Sequence, residues 1–257
     1  LTLRPYRPAT CCSSPVRFPL ILLPARNLMM AAKSVSFDAA GAAESASLPA
    51  ENLGEYYVYS LPFKTDIMDK QSKQVSLMDL KGVKFEQSYR LTSPLNVSST
   101  YASGDFERLH PSTVYKLTNS EENKLGLPMP SGVVRFYDKD GSGELQFIGA
   151  ADMAQLAKGE KAELAIGEAF DIYADGKITA QNKLSEKMAE NEVSVTFHNA
   201  KGRDAAVEFV QTFYYQTEIV SESLPSDRSK ARTFKWLVNV PAGGETTLTY
   251  KVRVTYN

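Results

Sequence analysis

Asp138-Lys139-Asp140-Gly141-Ser142-Gly143-Glu144 sets carboxylates at alternate positions ahead of a glycine, a pattern that can wrap oxygen ligands round a hard cation such as calcium. A calcium loop counted from Asp138 needs a glutamate at its twelfth position, and that position is Gly149. The preceding Val133-Val134-Arg135-Phe136-Tyr137 also reads as strand rather than helix, so the segment predicts a polar, glycine-rich hairpin turn. His110 stands before Pro111 and His198 closes a strand-like run; neither has further ligands at zinc-binding spacing, which predicts a loop histidine and a strand-edge histidine. Asp171 and Asp175 have the types for acid and base chemistry on a sugar, which needs two carboxyls about 5 to 10 Å apart. Solvated loop ends account for the same letters. Ser142 has neither a Gly-x-Ser-x-Gly elbow nor an assigned base, and no phosphate-cradling glycine motif occurs. In Phe213-Tyr214-Tyr215, period-two alternation turns Tyr214 away from its neighbours, making it the candidate contact for a glycan or partner. Asn96-Val97-Ser98 matches a glycosylation acceptor in form. No catalytic residue, cofactor or metal ligand is assigned.

The elements that would position these residues are strands. Val193, Val195 and Phe197 alternate with polar residues, as do Phe234, Trp236, Val238 and Val240, and Leu248, Tyr250, Val252, Val254 and Tyr256. A one-residue slip in such a strand would expose its whole apolar set. The run Val207, Phe209, Phe213, Tyr215 and Ile219 carries the same signature, and Pro241-Ala242-Gly243-Gly244 supplies a turn between the last two strands. Earlier strands are predicted at 56–61, 74–80, 83–91, 112–118, 133–137, 144–148 and 162–173. Windows 150–156 and 184–190 hold good helix formers but are too short to stand as helices, and they are read as loops or single turns. Closely spaced strands without crossover helices predict an all-β protein of antiparallel β-sandwich modules.

Composition narrows the class. A net charge of −1 over 257 residues gives no general attraction for nucleic acid or anionic lipid. The apolar run Pro19-Leu20-Ile21-Leu22-Leu23-Pro24 is far short of the ~20 residues that span a bilayer, so no transmembrane segment is predicted. Adjacent Cys11 and Cys12 offer no internal disulfide framework. Residues 1–53 form an irregular tail or linker, basic and proline-rich at first (Arg4, Arg7, Arg17, Arg26, Lys33) and then rich in Ala, Gly, Ser and Glu. A secretory signal around Phe18 to Leu23 is disfavoured by the internal prolines, and a chain opening on Leu reads as a fragment.

Tyr57-Val58-Tyr59-Ser60-Leu61-Pro62 with Thr65-Asp66-Ile67, Leu127 to Tyr137, Phe147-Ile148-Gly149, Leu164 to Asp171, Phe197-His198-Asn199, and Val240 to Gly244 leading to Thr249-Tyr250 occur in an order with a family likeness. Over Gly54 to Asn257 the chain resembles the bacterial domain of unknown function number 4139, the mucoidy inhibitor A-like family. The resemblance implies a C-terminal portion preceded by a Met- and Ala-rich linker like Leu28 to Ala32. It departs after Gly149, where Ala151 to Ala157 replaces an acidic, His-Thr-Pro-containing loop. The family lends no established activity and no functional residues. The expected organisation is a β-rich module over 54–175 and an immunoglobulin-like sandwich over 176–257. The expected function is a non-catalytic scaffold or interaction module, periplasmic or at the cell surface, with an envelope protein or polysaccharide as partner. The alternatives are glycan binding through exposed aromatics and an acid/base hydrolase.

Overall fold

A computed structural model describes residues 20–22, 50–53, 56–59, 64–72, 80–98 and 104–256. Among the described residues sixteen strands run in the order β1 (Leu20–Leu22), β2 (Ala50–Leu53), β3 (Tyr56–Tyr59), β4 (Glu86–Thr92), β5 (Asp105–Leu109), β6 (Ser112–Thr118), β7 (Gly132–Lys139), β8 (Leu145–Met153), β9 (Lys161–Glu168), β10 (Ile172–Ser185), β11 (Met188–Asn199), β12 (Ala205–Thr212), β13 (Gln216–Glu222), β14 (Ser226–Lys230), β15 (Thr233–Val240) and β16 (Glu245–Thr255). The one helical element among the described residues is a 3-10 turn, Glu121–Asn123. The protein is all-β and built from packed, mainly antiparallel sheets in sandwich form. No helix among the described residues is long and apolar enough to cross a membrane.

The chain divides into two compact units, Leu1–Glu86 with Tyr115–Ile166, and Gln87–Val114 with Gly167–Asn257. This corrects the expected modules 54–175 and 176–257. Strand β10 runs straight through the expected boundary, and β4 and β5, far earlier in sequence, pair with strands of the C-terminal sandwich. The expectation of an irregular 1–53 is corrected at two points, because β1 pairs with β7 and β2 with β3.

In the second unit a five-stranded sheet, β13-β16-β11-β10-β5, packs on a sheet ordered β14-β15-β12-β4 with Ser112–Val114 of β6 beyond it. From β12 to β16 the chain visits the two sheets in the order of strands B to F of an immunoglobulin domain; the place of strand G is taken by β11, from upstream. Strict alternation makes this possible. Every second residue of β11, from Ala189 to Asn199, is buried, and β16 sends Leu248, Tyr250, Val252 and Val254 to the same core. Trp236 lies at the centre, stacked on Tyr250 at 4.6 Å, with its indole N–H donating to Glu222 Oε2 at 2.9 Å. The Tyr250 hydroxyl donates to Gln211 Oε1, and Gln211 in turn donates to the carbonyls of Leu95 and Thr212, so these buried polar groups satisfy one another. One pair departs from the antiparallel expectation: β4 lies parallel to β12. A hairpin forces antiparallel pairing, and no hairpin links strands so distant in sequence.

Several predicted segments divide where the chain changes sheet. The 162–173 run breaks into β9 and β10 at Ala169-Phe170-Asp171, a turn closed by Ile172 N–H to Ala169 O and anchored by Ala169 N–H to Pro111 O. The 207–219 run breaks after Thr212: Phe213 stays in the core, Tyr214 and Tyr215 form the turn, and β13 joins the other sheet. The helix-forming windows are strand and hairpin instead. Ala150–Met153 extends β8, and 184–190 is the tip of the β10–β11 hairpin, because cross-strand pairing outweighs a small difference in helix propensity. The Pro241–Gly244 turn does join the last two strands, as a corner between sheets. Residues 74–79 lie outside the described residues, and β4 starts at Glu86 rather than Val83.

The first unit contains the β7–β8 hairpin with β1 parallel to β7, the β2–β3 pair, and the adjoining parts of β6 and β9. Its core gathers Leu117, Met129, Val134, Phe136 and Leu164, and Tyr115 stacks on Phe136 at 4.7 Å. Gly149 is required here: a Cβ would meet the Ile166 carbonyl oxygen at 2.5 Å.

Two buried asparagines hold loops to these cores. Asn119 donates to the carbonyls of Leu127, Leu156 and Ala157 and accepts from Gly126 N–H. Asn199 donates to those of Arg203, Val240 and Pro241 and accepts from Lys201 N–H. Asn199→Ala would leave these carbonyls facing an apolar side chain and is expected to lower stability by about 2–4 kcal/mol. Asn199→Asp should cost a similar amount, since a carboxylate cannot donate. Urea unfolding followed by Trp236, the single tryptophan, reads the second unit directly; an unchanged midpoint would contradict this role.

Candidate functional site

Four strands of the second unit build one surface. On the outer face of the five-stranded sheet, β10 alternates buried Ile172, Ala174 and Gly176 with outward Tyr173 and Asp175. Cross-strand register sets Tyr173 opposite His198 on β11, and His198 opposite Glu245 on β16. The Tyr173 and His198 rings stack at 4.6 Å and 16°. From β5, on the other side of β10, the Arg108 guanidinium lies 4.7 Å from the centre of the Tyr173 ring. Gly176 allows this close approach of β5, because a Cβ there would run into the Phe106 ring.

Arg108 has a left-handed backbone, φ 52°, where the β5–β10 register slips. A non-glycine residue in that region costs about 1 kcal/mol or more, and the observed compensation is its N–H bond to Asp175 Oδ1 at 2.7 Å. The second Asp175 oxygen lies 3.0 Å from His198 Nε2, while His198 Nδ1 faces Glu245 Oε2 at 3.4 Å. With a carboxylate at each nitrogen, only the doubly protonated imidazole donates to both.

The row continues past the strand ends. His110 Nδ1 lies 2.9 Å from the Ile172 carbonyl and 3.2 Å from that of Ala169. Its ring meets Tyr173 edge-on at 6.2 Å and lies parallel to Phe170 at 6.1 Å. Phe170, at the tip of the β9–β10 turn, is 82% exposed. Beside it, Asp171 Oδ2 is 3.9 Å from Lys201 Nζ, and Lys201 lies over the Tyr89 ring at 5.3 Å.

Thus the structure joins His110, His198 and Asp175 round Tyr173, a grouping the sequence does not suggest, and leaves Asp171 paired with Lys201. Asp171 lies in the turn before β10 and Asp175 within the strand, four residues on. The two carboxyls are also engaged separately, one with Lys201 and the other with His198 and the Arg108 N–H. Sequence reasoning missed Phe170, Tyr173 and Arg108. The available signal was the shared parity of 171, 173 and 175, but the register needed to place His198 opposite Tyr173 is not written in either strand alone.

The remaining candidates lie elsewhere. Tyr214 is 71% exposed in the β12–β13 turn, its N–H donating to Ser98 Oγ. It stands at the far end of β12 from Lys201; eight strand residues at about 3.3 Å each separate it from the ring row by roughly 25 Å. The Asp138–Glu144 segment is a hairpin turn. Asp140 there accepts from Ser142 N–H, Ser142 Oγ, Glu144 N–H and Gln146 Nε2, so Ser142 acts as a donor to the turn. Among the described residues no three His, Cys, Asp or Glu side chains are grouped to hold a metal ion. In the first unit, Met153, Gln155, Leu156, Lys161 and Glu163 are among the residues lining an open groove of about 570 Å³. Glu160, also on its wall, closes the adjoining loop by accepting from Ala157 N–H. Comparison with protein-family models, with curated proteins and with solved structures finds no match to the chain.

Two outcomes follow from this geometry. The His198 ring protons should be shifted upfield by Tyr173 and move downfield in Tyr173→Leu, as NMR would record; no movement would mean the stack is absent in solution. Hydrogen bonds from Ser142 and then Gln146 lower the Asp140 carboxyl to about 2. A depressed carboxyl lends its stability above its ordinary range and loses it as pH falls through the folded value. The Ser142 amide shift is therefore expected to titrate near pH 2, and a midpoint near 4 would show the carboxylate to be unheld.

Proposed function

We propose that this chain is a non-catalytic interaction module of a bacterial envelope, periplasmic or at the cell surface, and that it is related to the mucoidy inhibitor A-like family it resembles. The observation that carries the reading is Phe170, an aromatic ring 82% exposed and stacked at the end of the His110–Tyr173–His198 row. A large apolar ring left in water is costly unless something covers it, and its parallel contact with His110 leaves less side-chain entropy to be lost on binding.

The sheet face is a better contact than the sheet edges. Strand β5 is short, charged and slipped in register; β14 is equally short, carries Asp227, Arg228 and Lys230, and is also irregular; β13 has a register shift between Ile219 and Ser221. Short length, charge and bulging are the devices that discourage a further strand from adding.

Retention of envelope material on the immobilised chain under mild detergent tests the reading. Phe170→Ala is expected to reduce it at least fivefold without lowering the melting temperature, since the ring contributes little to the core. Equal retention by the variant, or none by the unaltered chain, would overturn the proposal.

A further inference from the structure

The exposed ring has a specific neighbour. Asp171 follows Phe170 in the same turn, and its carboxylate stands 3.9 Å from the Lys201 ammonium, too far for a direct hydrogen bond. The backbone is held at both residues, and the Lys201 side chain is held as well. Asp171 O accepts from Ala200 N–H at 2.8 Å, Lys201 N–H donates to Asn199 Oδ1 at 3.0 Å, and the Lys201 side chain lies over the Tyr89 ring.

We propose that Phe170, Asp171 and Lys201 form a carbohydrate subsite that takes a neutral pyranose unit of a polysaccharide. The proposal rests on the interaction-module reading and names its ligand class. A carboxylate accepts hydrogen bonds and an ammonium donates them. A group that enters between them and satisfies both must donate and accept at once. A hydroxyl does so; a phosphate or carboxylate only accepts, and an ammonium only donates. The open face of Phe170 supplies the apolar surface on which the C–H face of a sugar ring rests. An apolar peptide segment on Phe170 would instead remove water from Asp171 and Lys201 without replacing its hydrogen bonds, a cost that hydroxyl-bearing ligands avoid. One ring with one polar pair binds a single sugar weakly, so useful retention comes from a polymer that presents many units.

Native gels containing a soluble β-glucan, an α-glucan, a galactomannan or a polyuronate test this directly. At least one neutral polymer is expected to retard the chain. Phe170→Ala and Lys201→Met should each weaken that retardation at least tenfold at unchanged melting temperature, while Phe170→Trp should retain it. Tyr214→Ala, at the opposite end of the sandwich, should leave it unaltered. The inference is overturned if no neutral polymer retards the chain, if the polyuronate retards it most, if Phe170→Ala behaves as the parent, or if Tyr214→Ala abolishes the effect. Envelope retention separates the two readings: capture of protein that depends on Phe170, with no polymer bound, ends the carbohydrate proposal and leaves the module standing. Loss of both ends both.

Discussion

Buried in the last position of β11, the side-chain amide of Asn199 ties the strand to Arg203, Val240 and Pro241 and receives the N–H of Lys201. Two turns that cross between the sheets of the second unit, one after β11 and one after β15, are thereby fastened to one residue. A corner between sheets cannot use ladder hydrogen bonds, so its carbonyls need another donor, and an amide at the end of a buried face is the side chain that both gives and accepts. The same hub fixes where Lys201 leaves the chain and, through the Ala200 N–H, where Asp171 and Phe170 sit. The candidate site therefore depends on a hydrogen-bond hub that is not itself exposed to ligand.

Asn119 repeats the device in the first unit, where it gathers the carbonyls of Leu127, Leu156 and Ala157. Each unit thus combines an apolar core, which favours compaction without dictating loop paths, with a buried amide that selects one loop path among many. Glu222 serves a related purpose near Trp236. Burial alone would raise its carboxyl, yet hydrogen bonds from Ser226, Trp236 and Arg228 outweigh this and hold it below its ordinary value. The charged form is the one that bonds the indole.

On the outer face of the five-stranded sheet, side chains of unlike type share a row because register places them there. Arg108, Tyr173, His198 and Glu245 come from four strands and alternate cation, ring, ring and carboxylate. Stacking and charge pairing across strands contribute modestly to stability, a few tenths to about 1 kcal/mol per pair. Their larger consequence is order: long side chains on a wet face are held in single positions, and Phe170 ends the row with its ring facing solvent.

Period-two alternation alone determined the all-β class and the buried faces of β11, β15 and β16, because burial of every second residue leaves a direct trace in a strand's own letters. The Asp138–Glu144 hairpin was equally legible, since glycines and a turn aspartate carry local conformational preferences. Sheet changes were not: Ala169 to Asp171 and Phe213 to Tyr215 continue the apolar rhythm of their strands while the chain turns. The pairing of β4 and β5 with a sandwich that lies mostly after Gly167 was likewise invisible, because which strands pair depends on packing between distant segments. His110 and His198 could be read only as isolated residues, and Asp171 and Asp175 only as a pair of carboxylates. Tertiary structure decided that His110, His198 and Asp175 meet round Tyr173, for register between strands is a relation between segments and no single segment encodes it.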